Sequence, residues 1–183
     1  MAQTLARIDL GRARDALDVG CGTGTLLDAI ARAARGSGAP RLAGVDLSSG
    51  MLAVARDKLG RRAALAVADA AALPFPAARF DLALSSSAFH HWSEPLRALR
   101  EMVRVLRPGG TVAITDWCGD RWVERLRTLV LRRREHDHLR VYRSAELTAL
   151  LEKAGFVDVR VERWRIGWRW SLMTGLGRRG ETE

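Results

Sequence analysis

The 183-residue sequence predicts a single α/β domain with a doubly wound, mostly parallel sheet. Five short apolar runs alternate with stretches in which apolar residues recur at helical spacing, and a polar side chain stands at the end of each run. This alternation favours parallel strands joined by right-handed crossovers, with helices on both faces of the sheet. The polar ends of the strands then meet at one edge, where open α/β sheets bind ligands.

The first strand ends at Leu17-Asp18-Val19 and leads into the segment Gly20-Cys21-Gly22-Thr23-Gly24. Each of its three glycines lets the backbone adopt a positive φ angle or approach a ligand closely. The apolar residues that follow, from Leu26 onward, have helical spacing, so backbone N–H groups of a helix start should face this loop. The segment is therefore predicted to be a ligand-binding loop.

The glycine spacing distinguishes two kinds of ligand. Dinucleotide-binding loops use G-x-G-x-x-G, but the sequence here is G-x-G-x-G, and Thr25 stands where that pattern requires glycine. Asp18 precedes the loop, and its carboxylate would repel a pyrophosphate but would suit an ammonium or sulfonium ion. A cationic, amino-acid-like nucleotide is the ligand that fits this loop better.

The second strand, residues 42–45, ends at Asp46, which follows Gly24 by 22 residues. Doubly wound nucleotide folds place a carboxylate at about this separation, where it accepts hydrogen bonds from both ribose hydroxyls. We interpret Asp46 as this ribose ligand. Capping of the next helix by Asp46 or Ser48 is the alternative.

The third strand, residues 64–68, ends at Asp69-Ala70, and the fourth, residues 79–87, runs into Ser85-Ser86-Ser87. A turn containing His90 and His91 follows, and a helix is predicted to begin at Ser93-Glu94-Pro95. This helix ends at 107–110, and the fifth strand, 111–115, leads into Asp116-Trp117. Asp69 has a second interpretation as an ordinary turn residue.

The C-terminal part, residues 119–183, is predicted to contain a helix at 122–134, a polar loop with His136 and His138, and a helix capped by Ser144. Strands at 156–163 and 168–173 then form a hairpin around Gly167. We divide the domain into a lead-in or short helix at 1–14, a ligand-binding half at 15–118 and this C-terminal part.

The sequence resembles class I S-adenosylmethionine-dependent methyltransferases, closest to the ubiquinone-biosynthesis-type small-molecule branch. The motifs that carry this resemblance are Leu17 to Leu26, Asp46, Asp69-Ala70 and the run 106–110. The resemblance extends over roughly residues 15–156, with four motifs in the family's order. It implies a Rossmann-like sheet of seven strands with a C-terminal antiparallel strand, and methyl transfer by in-line displacement without a metal. S-adenosylmethionine would be converted to S-adenosylhomocysteine.

The resemblance also implies roles for individual residues. Asp69 and Ala70 correspond to the pair that reads adenine, although Ala71 and Ala72 stand where relatives often have another acid. Met51 corresponds to a residue that packs on adenine, but a core methionine is an equal alternative. The predicted cofactor-binding set is Asp18, Gly20, Cys21, Gly22, Gly24, Asp46, Leu47, Met51, Asp69, Ala70 and Ser85.

The acceptor is expected beside Ser86 and Trp92, with Asp116 and Trp117 opposite. Histidine titrates near neutral pH, so His90 or His91 is the candidate base that deprotonates the acceptor. A role of the histidine pair in packing and loop hydrogen bonding is the alternative. The sequence does not rank oxygen, nitrogen and carbon acceptors.

The formal net charge of +9 comes almost entirely from arginine. It admits a nucleic-acid methyltransferase or an RNA-binding protein, with Trp164, Trp168 and Trp170 as stacking residues, but ordinary solvated arginines explain it as well. Ser85-Ser86-Ser87 stands where base-modifying relatives carry an Asn/Asp-Pro-Pro-aromatic motif, which disfavours nucleic acid. A cofactor-binding subunit without catalytic activity is a further alternative.

Two unclustered cysteines indicate neither a disulfide framework nor a metal site. The sequence contains no signal-peptide pattern and no membrane-spanning apolar run, so we expect a cytoplasmic protein. The oligomeric state is left open.

Overall fold

The computed structural model describes residues 2–11, 13–34, 39–120, 140–167 and 170–181. These residues contain seven strands that form one sheet. The strands are β1 (Asp15–Val19), β2 (Arg41–Asp46), β3 (Ala63–Val67), β4 (Phe80–Ser86), β5 (Leu106–Trp117), β6 (Phe156–Ile166) and β7 (Trp170–Arg179). The α-helices are α1 (Ala2–Leu5), α2 (Thr25–Ala33), α3 (Ser49–Leu59), α4 (Pro95–Val105) and α5 (Ser144–Ala154).

The strand order in the sheet is β3-β2-β1-β4-β5-β7-β6. β1 to β5 pair in parallel, and β7 runs antiparallel between β5 and β6. The winding reverses between β1 and β4, so the loops that follow these strands open onto one crevice. The predicted doubly wound, mostly parallel sheet with its antiparallel C-terminal strand is confirmed.

Two apolar clusters cover the two faces of the sheet. On one face, α4 and α5 contribute Leu99, Met102 and Leu147 to the core. On the other, α2 and α3 contribute residues such as Ile30 and Leu52, and the N-terminal segment packs against their cluster. Both faces of the inner parallel strands β1, β2, β4 and β5 are therefore largely buried, which explains why these strands are apolar runs rather than alternating ones; β3, at the edge, is partly exposed.

The strict alternation of strand and helix fails between β3 and β4. The described connection, residues 68–79, contains Pro74 and Pro76 and forms no helix. Proline lacks the N–H group that a helix interior requires. The connection is instead held by α4: Glu101 accepts a 2.8 Å hydrogen bond from the backbone N–H of Leu73, and Arg104 donates to the carbonyls of Leu73 and Phe75.

Other element boundaries also differ from expectation. β5 begins at Leu106 because Phe80 pairs with Leu106 before an irregularity that precedes Thr111. Ser144 is the first residue of α5 rather than its cap, and its N–H and hydroxyl groups both donate to Asp120. The predicted helix at 122–134, His136, His138 and Trp168 lie outside the described residues.

A buried carboxylate, Asp15, ties the amino ends of four strands together. Its side chain is 1% exposed and forms ion pairs at 2.7–3.1 Å with Arg41, Arg79 and Arg107. Asp81 extends this cluster by accepting hydrogen bonds from Arg107 and from the backbone N–H of Asp15. Burial alone would raise the pKa of Asp15, but the three guanidinium groups outweigh it and lower the pKa to about 2.

We expect the substitution Asp15→Asn to lower the free energy of unfolding by about 2 kcal/mol or more, because it leaves three guanidinium groups facing a neutral side chain. Chemical denaturation measures this loss. The matched control is Asp28→Asn, which removes a carboxylate bound by Arg32 and Arg62 at the surface, where solvent weakens ion pairs. Equal losses in the two variants would contradict the structural role of Asp15.

The lowered pKa of Asp15 also sets the direction of a pH effect. The native state holds the ionised form, so its contribution to stability is complete above the unfolded pKa of about 3.8 and is lost as the pH falls toward about 2. Acid unfolding should therefore be less steep in Asp15→Asn than in the unmodified protein. An unchanged acid limb would show that the ion pairs contribute little.

Candidate functional site

An open cavity of about 630 Å³ lies at the carboxyl ends of the parallel strands, where the winding reverses. Its lining comes from the segments that follow β1, β2, β3 and β4. Five of the predicted ligand residues lie in that lining, together with His91 and Trp92. The lining residues are Gly20, Asp46, Leu47, Ser48, Ala68, Asp69, Ala70, Ala88, His91, Trp92 and Ser93.

The three loop glycines have positive φ angles of 75°, 51° and 73°, but they serve different purposes. A Cβ atom on Gly20 would lie 2.4 Å from Cβ of Ala88, and one on Gly24 would lie 2.7 Å from Leu59 on α3. A Cβ atom on Gly22 would meet nothing within 4 Å. All three glycines thus have the positive φ angle that the sequence predicted. In addition, Gly24 allows α2 to pack against α3, and Gly20, which lines the cavity, allows close approach to Ala88.

Four N–H groups of the loop are bonded within the protein. Those of Gly20 and Cys21 both donate to the carbonyl of Val45, at 2.8 and 2.9 Å, that of Gly22 donates to the Asp46 carboxylate at 2.7 Å, and that of Gly24 donates to the carbonyl of Cys21. A phosphate-binding loop needs such groups free to face the anion. These four N–H groups are therefore not available to a pyrophosphate.

The side chain of Cys21 points into the core. Its sulfur lies 2.9 Å from the position that a Cβ atom on Gly44 would occupy, so its predicted role in the site is confined to its backbone. Burial, together with the negative charges of Asp18 and Asp46, raises the pKa of the thiol to about 12. The thiol stays protonated and unreactive at neutral pH.

Asp18 is the next-to-last residue of β1, directly before the loop; it is 2% exposed and is not among the residues that line the cavity. Its Oδ1 atom has no hydrogen-bond partner among the residues that the structure describes. Burial and, to a smaller degree, the charge of Asp46 raise its pKa to about 7. A buried carboxylate that is short of partners is costly to maintain, and a cationic ligand would relieve that cost.

Asp46 shapes the loop and lines the cavity. One carboxylate oxygen accepts the N–H of Gly22 and the other accepts the N–H of Ser48, at 2.7 and 2.9 Å. Each oxygen retains a lone pair for a ligand hydroxyl. The capping alternative applies to Ser48 instead, because its hydroxyl accepts the N–H of Met51 in the first turn of α3.

Asp69 forms a turn and lines the cavity at the same time. Its Oδ1 atom accepts the N–H of Ala71 at 2.8 Å, as the turn interpretation expected, while Asp69 and Ala70 both lie in the cavity lining. Leu47 also lines the cavity and is 72% exposed. Met51, 49% exposed, lies outside the lining residues.

Ser85 and Ser86 end β4 in different environments. Ser85 is buried, and its hydroxyl has no hydrogen-bond partner within the described ranges of the chain. Ser86 is half-buried and pairs with Thr115 of β5. Each serine thus stays a candidate, Ser85 toward the cofactor and Ser86 toward the acceptor.

The two histidines occupy different positions. His90 is buried; its backbone N–H and its Nδ1 atom both contact the carboxylate of Asp116, at 2.9 and 2.8 Å. His91 is exposed and lines the cavity, and the two imidazole rings are 4.1 Å apart. The histidine pair therefore links the cavity to a buried carboxylate.

Asp116 is only 1% exposed and also accepts the N–H of Trp117. Its oxygens are engaged by His90 and by the backbone, so it is placed to hold His90 rather than to face an acceptor. Trp92 lines the cavity and packs edge-on against Phe89, with ring centroids 5.0 Å apart. Trp117, predicted beside the acceptor, packs against Trp170 with centroids 4.7 Å apart.

Of the tryptophans proposed for nucleic-acid stacking, Trp164 and Trp170 lie among the described residues and have contacts within the protein. The indole N–H of Trp164 donates to Thr174 at 3.0 Å, and Arg7 lies over its ring. Arg163, beside Trp164, pairs with Asp120. Across the described residues, no group of three or more His, Cys, Asp or Glu side chains could hold a metal ion. No helix among these residues is long and apolar enough to cross a membrane.

Ala88, which lies within the range from Ser86 to Trp92 predicted to contact the acceptor, lines the cavity. Sequence reasoning missed Ser48, Ala68 and Ser93, which also line it. These three are small residues in loops, and the sequence alone does not indicate which way they face.

A family model described as a methyltransferase domain matches residues 17–114 of this chain. The ubiquinone/menaquinone biosynthesis C-methyltransferase UbiE of Bordetella avium is 38% identical over 119 residues, which cover 63% of this chain and 46% of that protein. The chain thus spans less than half the length of this curated relative.

Two solved structures share the fold. A Bacillus halodurans methyltransferase superposes with a TM-score of 0.80 at 19% identity, covering 98% of both chains. A Haemonchus contortus phosphoethanolamine N-methyltransferase in complex with S-adenosyl-L-methionine gives a TM-score of 0.75 at 21% identity, covering 98% of this chain and 53% of that one.

The raised pKa of Asp18 predicts a pH dependence opposite to that of Asp15. An acid whose pKa is raised in the native state favours folding below its unfolded pKa, and this contribution is lost as the pH rises toward about 7. The ligand-free protein should lose a few kcal/mol of stability from this group over that range, at about 1.4 kcal/mol per pKa unit. Denaturant unfolding across the pH series measures it.

Asp18→Asn should remove this pH dependence and be the more stable form at pH 8. Asp57→Asn on the exposed surface of α3 is the control and should leave the profile unchanged. If Asp18→Asn keeps the slope, or is the less stable form at pH 8, the carboxylate has a partner that relieves its burial.

Proposed function

Because this chain belongs to the methyltransferase domain family, we propose that it is an S-adenosyl-L-methionine-dependent methyltransferase that acts on a small molecule. The methyl group passes to an oxygen, nitrogen or carbon atom of the acceptor by in-line displacement. The cofactor occupies the cavity at the carboxyl ends of the strands. The protein works in the cytoplasm.

The observation that carries this proposal is the buried carboxylate of Asp18, directly before the glycine loop, whose Oδ1 atom has no hydrogen-bond partner among the described residues. S-adenosylmethionine has an ammonium group and a sulfonium centre, and either cation would offset the desolvation of this carboxylate. The N–H groups of Gly20, Cys21 and Gly22 are already bonded to Val45 and Asp46, so they are not available to a pyrophosphate in the same place.

Two further carboxylates suit the nucleoside part. Asp46 lines the cavity with its oxygens fixed by two backbone N–H groups, so it would accept the ribose hydroxyls without having to reorient. Asp69, held by the N–H of Ala71, would accept from the adenine amino group, with Ala70 beside it. Leu47, largely exposed in the cavity lining, would cover one face of the adenine.

When bound, S-adenosylmethionine supplies a methyl group already activated by the sulfonium and leaves as S-adenosylhomocysteine. The protein must then orient the acceptor and, where the acceptor is a weak acid, remove its proton. We assign proton removal to the histidine pair. Nδ1 of His90 donates its proton to a hydrogen bond with Asp116, which leaves Nε2 of His90 to take up a proton. His91 lines the cavity.

The acceptor would lie against Ser86 and Trp92 at the side of the cavity nearest the histidines. Asp116 acts as a positioning residue for His90, and Trp117, which follows Asp116, packs against Trp170. The serines at 85–87 and the internal contacts of Trp164 favour a small molecule over a nucleic acid.

Cofactor binding is tested by thermal shift and calorimetry. At a hundredfold excess over its dissociation constant, S-adenosylmethionine should stabilise the protein by about 2.7 kcal/mol. Asp46→Asn should weaken binding at least about tenfold, and the exposed Asp57→Asn variant should bind normally. A thermal shift with a nicotinamide dinucleotide, and none with S-adenosylmethionine or S-adenosylhomocysteine, would overturn the proposal.

Catalysis is tested by methyl release over a panel of phenols, quinols, amines and carboxylates. With an acceptor identified, His90→Ala or His91→Ala should lower turnover at saturating cofactor at least about tenfold, a barrier increase of about 1.4 kcal/mol. Asp116→Asn should shift the pH–rate profile without changing cofactor affinity. If neither histidine variant is slowed, the site acts by orientation alone.

A non-catalytic cofactor-binding subunit is distinguished by the same assays. Normal cofactor affinity with no methyl release from any acceptor in the panel would favour that reading over an enzyme.

A further inference from the structure

The two edges of the sheet differ in how they resist pairing with another strand. The edge strand β6 carries Asp158 at a φ of +52°, a register shift between Val157 and Arg160, and charged side chains along its length. Bulges and charges of this kind block the approach of a further strand. β6 is therefore a protected edge.

The opposite edge strand, β3, has none of these features. Its sequence, AALAV, contains no charge and no proline, and its register with β2 is regular. Among the residues that the structure describes, β3 pairs only with β2. Val67 is 52% exposed and Ala64 is exposed as well. Such an edge is a template for strand addition.

The direction of the backbone groups identifies which residues would pair. Ala68, which follows β3, donates its N–H to the carbonyl of Asp46 on β2. In a parallel strand, successive residues direct their N–H and C=O groups to alternate sides, so Leu65 and Val67 direct theirs away from β2. The outer edge thus presents a row of donors and acceptors centred on Leu65.

The charges that flank β3 have opposite signs. Arg61 stands before the strand and Asp69 follows it, and neither forms an ion pair with a residue in the described part of the chain. Arg61 lies in the 3-10 turn Gly60–Arg62 that leads into β3. An antiparallel pair related by a two-fold axis at Leu65 brings the end of one strand that carries Arg61 to the end of the other that carries Asp69. The edge is thus complementary to itself in charge.

We propose that β3 is the contact surface for a second copy of this chain, which adds its own β3 antiparallel to form one continuous sheet. The formal net charge of +9 on each copy opposes association, so the dimer is weak, with a dissociation constant in the micromolar range. Asp69 lies in the cavity lining, so Arg61 of the second copy would lie close to the cavity. The dimer itself does not depend on the proposed methyl transfer.

Analytical ultracentrifugation over a concentration series tests the proposal. The unmodified protein should form dimers reversibly, and Val67→Lys should raise the dissociation constant about tenfold or more by placing a charge on the edge. The matched control is Val54→Lys, because Val54 is similarly exposed but lies on α3. The control should dimerise normally.

A charge exchange tests the register. Arg61→Glu should weaken the dimer, and adding Asp69→Arg to it should restore the dimer, whatever happens to cofactor binding. A monomer at every concentration would overturn the proposal. A dimer that withstands both Val67→Lys and Arg61→Glu would place the interface elsewhere and overturn it too, and dimerisation without methyl transfer would contradict only the proposed function.

Discussion

Desolvation of one carboxylate is the constraint on which the site depends. Asp18 is buried at the end of β1, lacks a partner for Oδ1 among the described residues and experiences the charge of Asp46, so ionisation is unfavourable until a cation arrives. The N–H groups of Gly20, Cys21 and Gly22 in the adjoining loop do not donate to Asp18, because they are bonded to Val45 and Asp46. The loop is pre-organised, and the favourable charge interaction that Asp18 lacks is left for a ligand to supply.

The same strand carries a second buried carboxylate, whose pKa is shifted in the opposite direction. Asp15 and Asp18 lie three residues apart on β1, and both are nearly inaccessible to solvent. Three arginines surround Asp15 and lower its pKa to about 2, whereas burial and the charge of Asp46 raise the pKa of Asp18, which pairs with no cation among the described residues, to about 7. Stability is thus concentrated at the amino ends of the strands, and binding capacity at their carboxyl ends.

The parallel sheet, its two helical layers and the place of the cavity follow from local patterns, because apolar runs ending in carboxylates leave few ways to build a sheet. Other features depend on distant contacts. Gly24 serves helix packing because Leu59 lies against it, and Cys21 turns inward toward Gly44. Asp116 is buried where it contacts His90, which is far away in the sequence. A sequence pattern places a residue at a strand end but does not say which way its side chain faces.

The most direct test of the central claim is proton release on cofactor binding. Calorimetry at pH 6, in buffers of different ionisation enthalpy, should show that S-adenosylmethionine displaces close to one proton, because Asp18 is protonated in the free protein and ionised beside the cation. Asp18→Asn should abolish this release. Binding of the cofactor without proton release from the unmodified protein would contradict the account.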